Sequence, residues 1–551
     1  MSRKPVTTGV WFRKCLRLHD NLPLVAACKD SDCVVPFFIL DPHFDRSRVG
    51  VQRYAFLLES LRDLDNTLSE KYNSRLLVLQ GDPEKLLRQI FSGKGKLQFD
   101  NLFFEFDSEP YAVQRDMRIQ GLADSHGVTC KSFSGHTILD MNVVKEQIGS
   151  GTLKRPTDMK SIQKVMINVL GSSGESIKVP ADLPAPPKIP PLGKGKLPSR
   201  TDFKVPEIGE LYTTKEDTEI LQKFGAMRFA QFPGGETAAL ARLRKEVSSQ
   251  VDYVCNFQKP KTMSTNRGNA GGQNVDWTKP STTGLSPYLK FGCLSVRKLW
   301  HEVDACYKKK KGKHSKPPES LHGQLMFRDM FYVLSYTVNN WDKDINNDMC
   351  KPVQWDTKNI KFLAAWEKGQ TGYPFIDALM RQLHQTGWMH HLGRHAVSCF
   401  LTRGDLYQHW VYGREVFDRL LLDADWAINN GNWLWLAGVA PFSMPFFRVY
   451  SPCPGKDAAV NAEQTGEFIK FFVPELAKMP SKYIYSPWEA PPDVQKQAGC
   501  IVGRDYPKPV VEHKKACQNN LTKFGQSLSE IRKRKASMPG TAPAAKRGRT
   551  K

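Results

Sequence analysis

The 551-residue sequence contains no apolar run of the roughly 18 residues that a membrane span requires. Its strongest apolar runs, such as residues 34–40, have only the length of a β-strand. The amino-terminal segment also lacks the apolar core of a signal peptide, so the sequence does not predict secretion. Twelve cysteines occur without a CxxC pair, a pattern typical of buried thiols in a reducing compartment. These absences indicate an intracellular protein.

Two common phosphate-binding fingerprints are also missing, because the chain contains neither GxGxxG nor GxxxxGK[ST]. Positive charge, in contrast, is abundant. Lys and Arg number 79 and Asp and Glu number 56, which gives a formal net charge of +23. This excess favours a polyanionic partner, either nucleic acid or a membrane surface. The apolar content of 40% is sufficient for substantial cores, and the length predicts two to four folding units.

Strand-like and helix-like patterns alternate in the first part of the chain. Short apolar runs begin near residue 6 and recur at 33–40, 75–80 and 102–106, and helical spacing covers 54–68. Alternation of this kind predicts a doubly wound parallel sheet with crossover helices, which we assign to residues 1–140. Ligands of such domains usually lie at the carboxyl ends of the strands.

The remaining chain divides into three parts by composition. Residues 141–216 are rich in Pro, Gly and Lys near their end, which predicts an interdomain linker. Residues 217–505 are mostly helical in pattern and predict a large all-helical domain. A polar insertion at 264–273 and a basic run at 308–316 interrupt it. Residues 506–551 are polar and basic, so we expect a disordered tail.

Tryptophans are concentrated in the second half. Trp410, Trp426, Trp433 and Trp435 lie close together, and Tyr407 precedes Trp410 by one helical turn. One interpretation is an indole-rich core. The other is a chain of oxidisable rings that passes electrons to a buried redox cofactor. Sequence spacing does not choose between them.

Polar residues occur within the apolar segment 420–436. Asp423, Asp425 and Asn429 would be buried there, and buried carboxylates need partners. An Asn amide and a carboxylate could face the ring nitrogens of a flavin. Structural helix caps are the alternative explanation.

His391 and His395 are four residues apart, which places them on one face of a helix. The spacing can hold zinc, but Leu392 replaces the Glu of an HExxH motif and no third ligand is near. Structural histidines and a proton-handling pair are the other interpretations. Arg394 points about 100° away on such a helix and is free to pair with Asp423.

Two further segments could contact phosphate. Thr282, Thr283 and Ser286 form a hydroxyl-rich turn before a helix, which suits either a phosphate site or a simple cap. The lysine run at 308–316 is either a solvated loop or a contact to a phosphate backbone.

Several long motifs resemble the cryptochrome/photolyase family and occur in family order from about residue 9 to 510. They are WFRKCLRLHDN at 11–21, FPGGET at 232–237, STTGLSPYLKFGCLS at 281–295, GQTGYPFIDALMRQL at 369–383, HHLGRH at 390–395 and DADWAINNGNW at 423–433. The resemblance implies an antenna-type α/β domain followed by a helical domain that binds FAD. It leaves open a second antenna chromophore of the deazaflavin or folate type.

The resemblance also implies residue roles. Asp423 would pair with Arg394, Asp425 would meet the flavin imide edge, and Asn429 would face flavin N5 and favour reduced flavin. An electron relay would run outward from the flavin. The relay would comprise Trp433, Trp410, Trp355 and Tyr407, and the remaining FAD contacts would come from Thr282, Thr283, Ser286, Gln324, Arg328 and His391.

Within the family, FRVYSP at 447–452 and the histidine pair resemble the (6-4) photolyases of the animal-type branch. This likeness implies light-dependent repair of (6-4) photoproducts, in which excited reduced FAD donates an electron and His391, with His395, handles a proton. Phe327, where the branch usually has Trp, and an altered 437–446 segment depart from the pattern. The residues expected to contact UV-damaged DNA are Lys259, Gln324, Trp435 and Arg448.

An animal-type cryptochrome, acting as a blue-light photoreceptor or clock regulator with protein partners, is the alternative function, and a dual role is a third. A DNA-binding flavoprotein without repair activity and an enzyme for cyclobutane dimers are further alternatives. The histidine pair counts against the second, because a cyclobutane-type enzyme would not need it. The basic clusters 532–535 and 546–549 resemble a bipartite nuclear import signal, so we expect nuclear localisation. We also expect a monomer that binds neither membrane nor metal.

Overall fold

The computed structural model describes residues 4–45, 47–93, 97–173, 176–192, 203–219, 221–222, 231–265, 276–455, 458 and 460–537. Its amino-terminal part is a sheet of five parallel strands. The strands are β1 (Thr7–Trp11), β2 (Cys33–Leu40), β3 (Leu77–Gln80), β4 (Asn101–Glu105) and β5 (Thr129–Phe133). Their order in the sheet is β3-β2-β1-β4-β5. The chain passes from β1 to one side of the sheet and then to the other, so the doubly wound fold predicted from the sequence is confirmed.

Helices cover the sheet and explain why the central strands are apolar throughout. Every residue of β2 is buried, as expected for a parallel strand with helices on both faces. Side chains cap two of these helices. The Asn21 side-chain oxygen accepts a hydrogen bond from the Leu24 amide, and the Asp82 carboxylate accepts one from the Lys85 amide. The helices are Leu22–Asp30, Val51–Tyr72, Pro83–Phe91 and Pro110–Ser125.

The segment predicted to be a linker contains regular structure. Met141–Gly149 and Met159–Leu170 are helices, and both pack against the long helix Leu321–Thr337. Asp158 caps the second of them, and Ile162 and Val165 are buried on one face. Residues 141–170 are therefore attached to the helical domain by packing, which the composition of the whole segment obscured.

The second domain is built from helices, as the sequence predicted. None of the described helices is long and apolar enough to cross a membrane. The helices are Glu236–Leu243, Val251–Asn256, Ser286–Phe291, Val296–Lys309, Leu321–Thr337, Ile360–Lys368, Pro374–Thr386, His391–Cys399, Trp410–Leu420, Trp426–Leu436, Glu467–Phe472 and Pro492–Gln497.

The carboxy-terminal segment differs from the predicted disordered tail, because His513–Ala536 is a helix. Asn520, Phe524 and Ser527 are its buried residues, spaced by four and three positions on one face. Two of the three are polar, so hydropathy does not mark this face. The cluster 532–535 lies at the end of this helix, whereas 546–549 lies outside the described residues, as does most of the polar insertion at 264–273.

A buried ion pair joins the two domains. The Arg297 guanidinium, from the helical domain, donates from Nε and Nη2 to the Asp20 carboxylate at 2.9 and 2.6 Å. The Asp20 side chain has 0% exposure and that of Arg297 has 9%. The Arg17 guanidinium adds a hydrogen bond to the Gly292 carbonyl oxygen at 3.0 Å. These contacts fix how the sheet meets the helices.

We predict that Arg297→Met lowers the free energy of unfolding by about 3–5 kcal/mol, because it leaves the Asp20 charge buried and unpaired. Urea denaturation followed by far-UV circular dichroism measures the change. Arg88→Gln is the control, since it removes an exposed pair with Glu84 that is worth about 0.3–0.5 kcal/mol. Equal stability of the two variants would contradict the prediction.

Candidate functional site

A cavity of about 310 Å³ lies inside the helical domain. Its walls come from the helices Ser286–Phe291, Leu321–Thr337, His391–Cys399 and Trp426–Leu436. Most of the candidate residues identified in the sequence meet here. Those that line it are Lys259, Thr282, Thr283, Ser286, Gln324, Arg328, His391, Arg394, His395, Asp423, Asn429 and Trp433.

Arg394 and Asp423 form the expected pair at the cavity wall. The Arg394 Nη1 and Nη2 atoms donate to the two carboxylate oxygens of Asp423 at 3.1 and 2.9 Å. Arg394 Nε also donates to the Met389 carbonyl oxygen at 2.8 Å. The Ser286 hydroxyl donates to the same carboxylate at 2.6 Å, so this hydroxyl is already engaged. Thr282 and Thr283 line the cavity beside it, and the phosphate role expected of these three residues stays a prediction.

Asp425 is not among the residues that line the cavity. It is the N-cap of the helix Trp426–Leu436, and its Oδ1 accepts from the Ile428 amide at 3.1 Å. Its Oδ2 accepts from the Tyr332 hydroxyl. The helix cap that the sequence left open as an alternative is present, and the contact with the flavin imide edge stays a prediction.

Asn429 lies on the cavity face of the helix that Asp425 caps. Its side-chain amide donates to the Arg414 carbonyl oxygen at 3.1 Å, and the residue is 6% exposed. Asn432 and Trp433 line the cavity at the next helical turn. The sequence analysis missed Asn432, although its spacing of three from Asn429 could have identified it.

His391 and His395 lie side by side on one helix face, with ring centroids 5.8 Å apart. His395 Nδ1 is 3.2 Å from the Tyr450 hydroxyl, and its ring is 5.1 Å from that of Trp435. Tyr450 belongs to FRVYSP, but its role as a partner of His395 was not identified from the sequence. Among the described residues, no group of three metal-binding side chains surrounds the pair.

Burial is the main cause that lowers the pKa of both histidines well below the usual range. The positive charge of Lys259 lowers the pKa further in each case. Burial also lowers the pKa of Lys259 to about 8, with a smaller contribution from Arg394. His391 and His395 are therefore neutral at pH 7 in the protein without bound ligand. Each ring can donate a hydrogen bond through its N–H group, but neither ring carries a positive charge.

The donor set of the cavity fits FAD. Three buried nitrogen atoms on its wall have no hydrogen-bond partner among the described atoms, namely His391 Nε2, Arg328 Nη1 and Trp433 Nε1, although Arg328 Nη1 lies 3.6 Å from the Asp329 carboxylate. The lining contains three cationic side chains, Lys259, Arg328 and Arg394, and one carboxylate, Asp423. Phosphates and a heteroaromatic ring with acceptor atoms can satisfy both features. Apolar side chains, such as Leu285, Leu325 and Phe417, supply the surface against which rings pack.

The predicted relay residues differ in how deeply they are buried. Trp433 lines it and is 1% exposed, Trp410 is fully buried, and Trp355 is half-buried. The His409 ring connects the outer two, with centroids 5.8 Å from Trp410 and 6.1 Å from Trp355. Tyr407 contacts Trp355 at 5.1 Å but is itself buried, so Trp355 is the more accessible ring.

The residues expected to meet DNA lie at or near the cavity. Lys259 and Gln324 line it, and the Lys259 ammonium lies 5.7 Å from the centroid of Trp435. Arg448 is exposed on the FRVYSP segment. Phe327, the departure from the family pattern, is half-buried and is not among the residues that line the cavity.

A second cavity, of about 170 Å³, lies at the carboxyl edge of the sheet. Trp11, Leu40 and Asp107 mark the ends of three strands there, and Lys290 and Trp426 close it from the helical domain. Burial lowers the pKa of Lys290 to about 8. Its position follows the rule for ligand sites in doubly wound sheets.

Comparison with known proteins agrees with this architecture. Residues 8–157 match the DNA photolyase family and residues 320–526 match the FAD binding domain of DNA photolyase. The chain is 42% identical to a (6-4)DNA photolyase of Arabidopsis thaliana, over 94% of this chain and 88% of that protein. It is 40% identical to Cryptochrome-1 of Rattus norvegicus, over 95% of this chain and 82% of that protein.

A solved structure shares the fold. The crystal structure of a bacterial class III photolyase from Agrobacterium tumefaciens has a TM-score of 0.75 at 29% identity, and the match covers 96% of this chain and 99% of the other. The two-domain fold and the cavity thus define an FAD-binding flavoprotein. The chain belongs to the photolyase/cryptochrome family.

We predict that Gly413→Ala destabilises the protein by about 1–3 kcal/mol and disturbs the indole of Trp433. A Cβ at Gly413 would lie 2.1 Å from the Trp433 ring. Gly525→Ala is the matched control, because its Cβ has open space within a helix and should stabilise by about 0.5–1 kcal/mol. Thermal unfolding of both variants, with Trp fluorescence, tests the pair. A Gly413→Ala variant as stable as the wild type would contradict the close packing of Gly413 against Trp433.

Proposed function

We propose that this protein is a light-dependent (6-4) photolyase that acts on UV-damaged DNA. The observation that carries the proposal is the cavity itself, which places His391 and His395 with Tyr450 close to Asn429. A proton-handling pair next to a redox cofactor is the chemistry that reversal of a (6-4) photoproduct requires. The named relatives include two (6-4)DNA photolyases, from Arabidopsis thaliana and Oryza sativa, at 42% and 40% identity.

The residues that would hold FAD divide into three groups. Thr282, Thr283 and Ser286 would bind its phosphates. Gln324 and Arg328 would lie along the cofactor, and Asp425, Asn429 and the Arg394–Asp423 pair would contact its ring. When bound, FAD supplies one-electron donation driven by blue light. The apolar wall excludes water from this reaction. Trp433, Trp410 and Trp355 would carry electrons between solvent and the cavity.

His391 is the group that we assign to proton transfer. Its Nε2 is buried and has no partner among the described atoms, so it is free to bind a nucleotide that enters the cavity. A lesion weakens base pairing, so extruding it from duplex DNA costs least at the damaged site. The negative charge of the bound substrate would raise the pKa of His391 from its lowered value, which makes protonation coincide with substrate binding.

The remaining parts of the proposal concern partners and location. The second cavity is the site that we propose for an antenna chromophore, since it lies beside Trp426 and opens at the sheet edge. The basic clusters 532–535 and 546–549 would direct import into the nucleus, where the substrate occurs. The protein would act as a monomer.

A blue-light photoreceptor or clock regulator is the second candidate function. The 40% identity to Cryptochrome-1 of Rattus norvegicus favours it almost as much as the photolyase identity favours repair. Both functions would use the same flavin cavity, but only repair needs a histidine that contacts DNA. The histidine pair therefore distinguishes the two candidates.

We expect the purified protein to repair an oligonucleotide containing one (6-4) photoproduct under blue light, but not one containing a cyclobutane dimer. His391→Ala should keep the flavin absorption spectrum and lose repair by at least 100-fold, the lower end for general acid–base catalysis. His126→Ala, an exposed histidine of the α/β domain, should repair normally. Chromatographic recovery of the intact bases measures the reaction.

No repair by the wild-type protein would exclude the enzyme function and leave the photoreceptor candidate. Full activity of His391→Ala would instead exclude the assigned proton role.

We also predict that Lys259→Met moves the pH dependence of repair to higher pH. Lys259 lowers the pKa of both histidines, so removing its charge raises those pKa values. The limb of the profile that reflects their titration must then move towards alkaline pH. Lys71→Met, an exposed lysine of the α/β domain, should leave the profile unchanged. An unshifted profile for Lys259→Met would contradict the coupling.

A further inference from the structure

The basic run at 308–316 carries unpaired positive charge on the surface of the helical domain. It contains six lysines, KKKKGKHSK, between the helices Val296–Lys309 and Leu321–Thr337. Lys310 forms an ion pair with Asp252. Lys308, Lys309, Lys311 and Lys313 are exposed, and no ion pair is found for them among the described side chains.

Specific contacts hold this segment in a fixed shape. The His314 ring stacks on Tyr307 with centroids 3.6 Å apart and planes at 3°. The Ser315 amide donates to the Cys255 carbonyl oxygen at 2.7 Å, and the Ser315 hydroxyl donates to the Phe257 carbonyl oxygen at 2.6 Å. Because the backbone is already ordered, a ligand that binds the lysines has to immobilise only their side chains. The segment is therefore more than a freely solvated loop.

Hydrogen bonds connect the end of the basic run, and the residues that follow it, to the cavity wall. Phe257, whose carbonyl oxygen binds Ser315, lines the cavity. The Lys259 amide donates to the Glu319 carbonyl oxygen at 3.1 Å, and the Gln324 side chain donates to the Pro318 carbonyl oxygen at 2.8 Å. Lys259 and Gln324 also line the cavity. One wall residue is thus bonded to the run itself, and two are bonded to the residues just after it.

We propose that residues 308–316 form a phosphate-binding rim that holds the DNA backbone next to the nucleotide entering the cavity. The inference rests on the proposed function for its partner, which is duplex DNA. A row of exposed ammonium groups neutralises phosphates without reading bases, so the rim contributes affinity and position but not lesion recognition. Discrimination remains with the cavity.

The test is dark titration of the FAD-loaded, full-length protein with fluorescent duplexes, one undamaged and one carrying a (6-4) photoproduct, at several salt concentrations. The variant combines Lys309→Gln, Lys311→Asn and Lys313→Gln. Asn is chosen at Lys311 because the backbone there has a φ of +50°, which Asn tolerates. The matched control removes three exposed lysines of the α/β domain, by Lys29→Gln, Lys71→Gln and Lys85→Gln. Flavin absorbance and melting temperature verify that both proteins are folded.

The expected result is a weaker salt dependence for the rim variant. Each lost phosphate contact lowers the slope of log affinity against log salt by about 0.9, so three contacts give a decrease of about 2–3. Affinity should fall about ten- to a hundredfold for both duplexes alike. The control should retain the wild-type slope. A rim variant that matches the control would overturn the inference, and so would a loss confined to the damaged duplex, because the loop would then read the lesion.

Repair is measured separately on the same samples, so the two proposals can fail independently. Wild-type protein that binds DNA through the rim but does not repair it would exclude repair and retain the rim. Wild-type protein that repairs while the rim variant binds normally would exclude only the rim. Wild-type protein that binds neither duplex would exclude both.

Discussion

The ion pair between Arg394 and Asp423 is the contact on which the functional cavity depends. Arg394 belongs to the helix that carries the two histidines, and Asp423 lies three residues before the helix that carries Asn429 and Trp433. The bidentate geometry restricts how these helices are placed relative to each other. Loss of either partner would leave an uncompensated charge at the wall. The ion pair therefore connects the helix of the histidine pair to the segment that leads to Asn429.

Electrostatics around this pair explain why the cavity can accept an anion. Lys259, Arg328 and Arg394 outnumber the single carboxylate of the lining, and the histidines stay neutral because burial and Lys259 lower their pKa. The lining therefore has an excess of positive charge, which a bound anion would neutralise. Both FAD phosphates and a DNA backbone can provide the negative charge, so binding of cofactor and of substrate relieve the same imbalance.

The sequence predicted the fold well where apolar runs are buried on both faces, as in β2, and where motifs resemble known ones. It did not predict β5, whose residues Thr129–Phe133 are largely exposed at the sheet edge. The terminal helix was missed because its contact face includes Asn520 and Ser527. In the site, the pairing of Asp423 with Arg394 was predicted. For Asp425, in contrast, the sequence pattern could not show whether the carboxylate caps a helix. Tyr450 was missed because only folding brings it to His395.

The docking of the terminal helix has a practical consequence for any truncation of the chain. Phe524 packs against Trp355 and stacks on Phe446, and His513 forms an ion pair with the buried Asp405. A protein shortened at residue 505, where composition suggests that order ends, would lose these covers. Trp355 would be exposed to water and oxidants, and the buried Asp405 carboxylate would lose its ion-pair partner. Photochemistry measured on such a fragment would describe a different molecule.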